Sequence, residues 1–263
     1  MRAMILAAGR GERMRPLSES CPKAALLVHG IPLIAYNLAL LAAHGVREVI
    51  VNLHHLAEKV REAAEQFCPI DLKLHFSLEH ELLNTGGGIR RATPFLSQSD
   101  PCLVLASDML LDYDLGSLVE RHRSQGDAVT LLLRENTRAA AFSTIGIDAA
   151  GKVRRIARRF DLAGEVQQGV YVSVTVIAAR ALKTFPQRER FNHLDDWLAP
   201  LLRAGADDIR GEIAAPGDCF WQPVGTPEEY WEANSTAHVF QHFDVTAIAA
   251  RGSSNAQRRK QNS

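Results

Sequence analysis

Residues 7–23, AAGRGERMRPLSESCPK, gather two glycines, three arginines and a lysine directly after a short apolar run. Gly9 and Gly11 let a backbone come close to a ligand, and neighbouring N–H groups turned inward form a nest for an anion. Arg13 adds a planar fork of donors and Lys23 a mobile point charge, a pairing suited to charge that shifts between phosphates during phosphoryl or nucleotidyl transfer. Polyphosphate is the natural ligand of such a loop. Two named phosphate motifs do not fit: the GxxxxGK[ST] pattern is not met, and the dinucleotide fingerprint needs a third glycine where Met14 stands. On spacing alone the loop also reads as a surface turn with Arg10, Arg13 and Arg15 merely solvated.

Asp108 follows PCLVLAS and so falls at the carboxyl end of a strand, the edge where open α/β sheets bind ligands. A hard oxygen donor there suits Mg²⁺; the alternative is a helix cap or turn residue, a description that fits Asp112 and Asp114 better. NTGGGI, residues 84–89, runs three glycines into an expected helix, so that its backbone can lie against a base or a sugar, or form an ordinary loop. His54 and His55 stand side by side after a strand, on opposite faces, and read as hydrogen-bonded structural residues instead of a metal pair. Trp197, Trp221 and Trp231 read as packing residues before a sugar-stacking set.

These residues need a scaffold, and the chain supplies one. AMILAA, EVIVNL, LKLHFSL, PCLVLAS and AVTLLL read as buried strands separated by segments of helical period, which predicts a mostly parallel sheet covered by helices. GIPLIAYNLALLAAHG reads as a crossover helix, with Pro32 in its first turn, apolar residues at 34, 38 and 41, and Gly45 as its stop. After about residue 140 the order becomes mixed α/β: STIGIDAAGKVRRI predicts a hairpin turning at Ala150-Gly151, and GVYVSVTVI another buried strand. We expect one domain over residues 1–240 and a tail over 241–263. From about 251, RGSSNAQRRKQNS has no apolar period, which predicts disorder.

Composition bounds the function. Thirty basic and thirty acidic side chains cancel over 263 residues, so no global field marks a nucleic-acid partner and any basic site is local. The apolar run Ala3 to Ala8 is too short for a signal peptide, and no stretch approaches the ~20 apolar residues of a membrane span. A cytoplasmic location without a membrane partner is expected. Cys21, Cys68, Cys102 and Cys219 lack any CxxC spacing, which argues for free thiols. Neither a repeat nor a heptad points to an oligomer.

The segment MILAAGRGERMRPLSESCPKAALLVHGIPLI resembles the sugar-1-phosphate nucleotidyltransferases, and the likeness continues in VIVNLHHLAEKV, NTGGGIRRA, CLVLASDMLLDYD, GVYVSVTVI and PVGTPEEYWEAN. It runs from residue 1 to about 236, nearest to the N-acetylmuramate-1-phosphate uridylyltransferase and heptose- or mannose-1-phosphate guanylyltransferase subgroups. The resemblance implies a Rossmann-like α/β fold with a sugar-binding portion. It also implies attack by a sugar-1-phosphate oxygen on the α-phosphate of a nucleoside triphosphate, with pyrophosphate released. Residue by residue, it implies that Arg13 stabilises the departing pyrophosphate and Lys23 the α-phosphate. Ala8, Gly9, Gly11, Gly86 and Gly87 then hold the nucleotide, Gly169 and Val170 line the sugar pocket, and Asp108 binds Mg²⁺. Catalysis of this kind is positioning plus electrostatics, without a covalent nucleophile from the protein.

In one place the chain departs from the family. Two residues ahead of Gly225, where the family carries a second metal-binding aspartate, this sequence has Pro223, which offers neither a carboxylate nor an N–H. A second function class follows: a catalytically weak or inactive homologue that binds nucleotide or NDP-sugar and regulates a partner.

Overall fold

The computed structural model describes residues 1–135, 144–157, 160–215 and 217–261. The strands that frame the site are β1 (Arg2–Leu6), β2 (Glu48–Leu53), β3 (Lys73–Leu78), β4 (Cys102–Ala106), β5 (Met109–Asp112), β6 (Val129–Arg134), β7 (Thr144–Ile147), β8 (Val153–Ile156), β9 (Gln167–Ile177), β10 (Ile209–Ala214) and β11 (Phe220–Pro223). The helices that bear on it are α1 (Leu33–Ala43), α2 (Ala57–Gln66), α3 (Asn84–Arg91), α4 (Leu115–Gln125), α5 (Pro227–Ser235) and α6 (Val245–Gln261). This is the expected α/β class, a Rossmann-like sheet flanked by helices with a mixed second half. By contacts, the residues form two compact units. The first holds Ile5–Leu82, Ala106–Tyr113 and Phe220–Ser263; the second holds Met1–Met4, Leu83–Leu105 and Asp114–Cys219.

In the first unit, β2 and β3 pair in parallel from Glu48 opposite Lys73 to Leu53 opposite Leu78. Val49 to Leu53 are all buried, as a near-continuous apolar run with both faces covered requires. Helix α1 starts just after Pro32, whose φ of −65° presets the first turn, and the chain leaves it through Gly45 at φ 75°. Met14, Leu26, Val28, Tyr36, Leu110, Val224 and Ile248 meet in one apolar core. Strands β5 and β11 pair antiparallel, with Pro223 opposite Met109 and Phe220 opposite Asp112.

The tail corrects an expectation. Residues 245–261 form helix α6 and are not disordered. The stripe that packs is 248, 252 and 255: Ile248 is buried, Gly252 lies against the Phe67 ring, and Gln66 exchanges hydrogen bonds with Gly252 O and Asn255 Nδ2. That face works by being small and polar, so an apolar count misses it. Asp112 is a second correction. It is no cap or turn residue: buried in β5, it accepts the N–H groups of Gln241 and His242 and the His242 ring at 2.8 Å, clasping the segment before α6. Asp114 caps α4 as expected, accepting Ser117 N–H at 3.0 Å.

In the second unit, β9 lies antiparallel to β4, β6 and β7, while β6 and β10 pair in parallel. The hairpin β7–β8 turns where expected, at Gly151 (φ 80°), with Asp148 accepting the N–H groups of Ala150 and Lys152. Strand β9 is not regular. Ser173 sits at φ 60° and the register with β6 shifts between Tyr171 and Thr175, a bulge that no periodicity announces.

Candidate functional site

The glycine loop of the first unit grows out of the end of β1. Gly9 is exposed and the space beside its Cα is open, so the backbone there is free to meet a ligand. Gly11 turns the chain at φ 64°, a conformation that costs glycine little, and a Cβ at this position would stand 3.0 Å from that of Ser18. The turn is pinned from below. Met14 N–H donates to Gly11 O at 2.8 Å, its side chain fills the core, and Ser18 Oγ donates to the same carbonyl at 2.8 Å. Met14 therefore anchors the loop at the position where a dinucleotide motif would have glycine. The exposed guanidinium of Arg13 reaches Gly225, where an added Cβ would lie 3.3 Å from its Nη2.

Lys23 and Asp108, 85 residues apart in sequence, meet directly: Lys23 Nζ donates to Asp108 Oδ2 at 2.9 Å. The carboxylate lies just beyond β4 as the strand-end argument requires, and 37% of its side-chain surface stays exposed. Val224 N–H donates to Asp108 O at 2.9 Å, which brings the β11 segment alongside. Half-buried Pro223, paired with Met109 in the ladder, is thus one residue along the chain from the backbone partner of Asp108, and it brings no carboxylate there. Among the described residues, no group of three or more His, Cys, Asp or Glu side chains is arranged to hold a metal ion.

The glycines of the second unit serve a different purpose. Asn84, at φ 61°, turns the chain into α3, and Gly86 and Gly87 lie buried in its first turn. Both their N–H groups donate to Phe191 O, at 2.9 and 3.2 Å. A Cβ on Gly86 would fall 2.3 Å from the Phe191 ring, and one on Gly87 2.1 Å from Glu189 O. These glycines admit the segment 189–191. Gly169 and Val170 lie buried in β9, where a Cβ on Gly169 would meet Leu133 at 2.9 Å. Trp197 is core, with its indole N–H on Thr184 Oγ1; Trp221 is buried and Trp231 is 59% exposed.

Two polar groups of these units escaped sequence reasoning. His193 N–H and Nδ1 both contact Thr85 Oγ1, at 3.3 and 2.8 Å, and Nε2 lies 3.3 Å from Tyr171 Oη, which is 2.6 Å from Thr175 Oγ1. Each ring nitrogen thus faces a hydroxyl, an arrangement that suits a neutral ring in either tautomer. Burial agrees, holding the His193 pKa down to about 4 and pushing the Tyr171 phenol up. The other is Asn52, buried in β2: its Oδ1 accepts Ala7 N–H at 2.7 Å and its Nδ2 donates to Glu79 Oε1 at 2.7 Å. Its one sequence signal was a polar residue inside the run EVIVNL. His54 and His55 are structural, as expected, and part company: one bonds Glu79 O, the other Ser18 O. The four thiols are free, and burial raises the pKa values of Cys21, Cys68 and Cys102.

A glycine loop at a strand end, with a lysine on a strand-end carboxylate and an arginine beside it, has the form of a nucleotide-handling α/β protein. The chain belongs to the nucleotidyl transferase family, whose model matches residues 2–239. UTP–glucose-1-phosphate uridylyltransferase of Synechocystis sp. is 26% identical over 251 residues, 89% of this chain and 62% of the relative. Mannose-1-phosphate guanylyltransferase of Mycobacterium tuberculosis is 27% identical over 230 residues, 87% of this chain and 62% of the relative. N-acetylmuramate alpha-1-phosphate uridylyltransferase of Neisseria meningitidis reaches 42% identity, over 115 residues that make up 43% of this chain and 49% of the relative. The chain thus spans about 62% of the length of the first two. The crystal structure of HddC from Yersinia pseudotuberculosis shares the fold, with a TM-score of 0.72 at 22% identity over 89% of this chain and 98% of that one. Among the described residues, no helix is long and apolar enough to cross a membrane.

Proposed function

We propose that this chain, through residues 1–240, transfers a nucleoside monophosphate from a nucleoside triphosphate to a sugar-1-phosphate in the cytoplasm, giving an NDP-sugar and pyrophosphate. One observation carries the reading: Lys23 Nζ and the Asp108 carboxylate stand 2.9 Å apart at the ligand-binding edge, and the glycine loop belongs to the same unit. The relatives' names support the substrate class. Ala8, Gly9 and Gly11 cradle the triphosphate. Lys23 lies against the α-phosphate and Arg13 against the departing pyrophosphate, where fixed positive charge counters the charge that develops. Asp108 would hold Mg²⁺ through an oxygen, and the bound ion would neutralise phosphate charge. The test is mass spectrometry of products from Mg²⁺, common nucleoside triphosphates and a panel of sugar-1-phosphates, with pyrophosphate release followed in parallel. An NDP-sugar peak is expected; neither product nor pyrophosphate from a protein that binds nucleotide would discard turnover.

Pro223 favours the second reading, a nucleotide- or NDP-sugar-binding regulator, because it brings no carboxylate to the segment whose Val224 N–H bonds Asp108 O. Pro223→Asp separates the two. If the position faces the ion, Mg²⁺ affinity measured by titration calorimetry with a bound non-hydrolysable triphosphate rises roughly tenfold. Unchanged affinity removes Pro223 from the metal's surroundings and with it the case for a regulator.

A further inference from the structure

The root of the phosphate loop is held by a side chain from the neighbouring strand. Ala7 is the first residue beyond β1 and is buried, so its N–H has to find a partner away from water. The strand ladder does not provide one; Asn52 Oδ1 does, at 2.7 Å. On the same peptide unit, Leu6 O accepts Ser107 N–H at 3.1 Å, so the Leu6–Ala7 peptide is gripped at both its oxygen and its N–H just before Ala8 and Gly9. Asn52 itself has no freedom. Its Nδ2 donates to Glu79 Oε1 at 2.7 Å, and Glu79 is fixed in turn by its N–H on Leu53 O at 2.7 Å and by His54 Nδ1 on its carbonyl at 2.9 Å. The amide can be oriented only one way, since a flip would face its NH₂ to the Ala7 N–H and its oxygen to a carboxylate. Both side chains are nearly wholly buried, Asn52 at 3% exposure and Glu79 at 2%. A buried polar pair of this kind is costly unless each member is satisfied, and here the satisfied partner is the backbone from which the loop departs.

We propose that Asn52, held by Glu79, is a positioning residue for the nucleotide: it sets the direction in which Ala8, Gly9 and Gly11 present their N–H groups to the phosphates. The inference rests on the reading of that loop as the triphosphate site. Gly9 has open space around it and little side-chain packing to guide it, so a displacement at Ala7 passes on to the tip. Hydrogen bonds to phosphate depend steeply on distance and angle, so misdirection appears as lost nucleotide affinity.

The test exchanges the two functional groups. Asn52→Ala removes the grip, and Asn52→Asp keeps the acceptor for Ala7 N–H but sets two carboxylates against each other. Asn52→Asp combined with Glu79→Gln restores both bonds of residue 52, with donor and acceptor interchanged in the one to residue 79: the new carboxylate accepts from Ala7 and from the new amide. Affinity for Mg²⁺ with non-hydrolysable UTP and GTP analogues is measured by calorimetry, with a thermal melt of each variant and KM and kcat where turnover is found. Either single substitution is expected to weaken binding tenfold or more and to raise KM more than it lowers kcat, and the double variant to return within threefold of the wild type. Wild-type protein that binds neither analogue would overturn the loop assignment itself. Given wild-type binding, unchanged affinity in folded Asn52→Ala overturns the positioning role, even if its melting temperature falls. Should Asn52→Ala not fold, a folded double variant as weak as Asn52→Asp has the same force.

Discussion

Two sets of glycines stand in this chain for opposite reasons. Gly9 has open space beside it and Gly11 turns the chain at a positive φ, whereas Gly86 and Gly87 leave space that the protein fills, with Phe191 and Glu189 where their side chains would be. The N–H groups differ likewise: those of Gly86 and Gly87 are spent on Phe191 O, so the first turn of α3 is no anion site despite its glycines. A glycine run near a helix start reports close approach. What approaches, phosphate or protein, is decided by distant residues.

The contrast can be broken by substitution. The largest effect expected is from Gly87→Ala, where a methyl would overlap the Glu189 carbonyl and has no flexible side chain to push aside. Overpacking of this order costs about 3 kcal/mol or more, read from denaturant midpoints. A change below about 1 kcal/mol would show that segment 189–191 moves away freely. Acid offers a second probe of the filled side. Burial lowers His193 and His122 to about 4, below the ordinary 6.5, so the unfolded chain binds more protons between these values. Stability is fully present above about pH 6.5 and should fall as pH drops toward 4, by on the order of 1–3 kcal/mol for His193 alone. His193→Gln should flatten that slope; an equal slope would place the titration elsewhere.

On the open side, Lys23→Ala and Arg13→Ala should each lower turnover at least about tenfold, and Arg13→Ala should leave thermal stability nearly unchanged because its side chain is exposed, whereas the part-buried Lys23 also loses its ion pair. Normal rates in both would empty the loop of its phosphate. The smallest effect on stability is expected from Gly9→Ala. Its backbone is not left-handed and its surroundings are open, so the change should leave stability the same or raise it by under about 1 kcal/mol. Triphosphate affinity should nevertheless fall, because the methyl enters the ligand's space. Loss of both together would put Gly9 with Gly86 and Gly87.

The scaffold was legible because its signals are local. Buried strands read as apolar runs, and α1 announces its ends through Pro32 and Gly45. The site was legible only in part: strand-end logic located Asp108, but its meeting with Lys23 spans 85 residues and no local pattern encodes it. Asn52 looked like a blemish in an apolar strand, and its purpose becomes visible only once Ala7 and Glu79 are beside it. The helix of the tail is hidden for a related reason. Gly252 contributes to packing by having no side chain, so Phe67 can lie against it, and a search for apolar bulk finds nothing there.

The most direct measurement is hydrogen–deuterium exchange, followed by mass spectrometry, of the wild-type protein with and without Mg²⁺ and a saturating non-hydrolysable nucleoside triphosphate. Slower exchange in the peptide covering residues 7–14 is predicted, with the N–H groups of Gly86 and Gly87 slow in both states because Phe191 O already holds them. Bound nucleotide that leaves residues 7–14 unprotected, or that first protects Gly86 and Gly87, would contradict the assignment of the open and filled glycines.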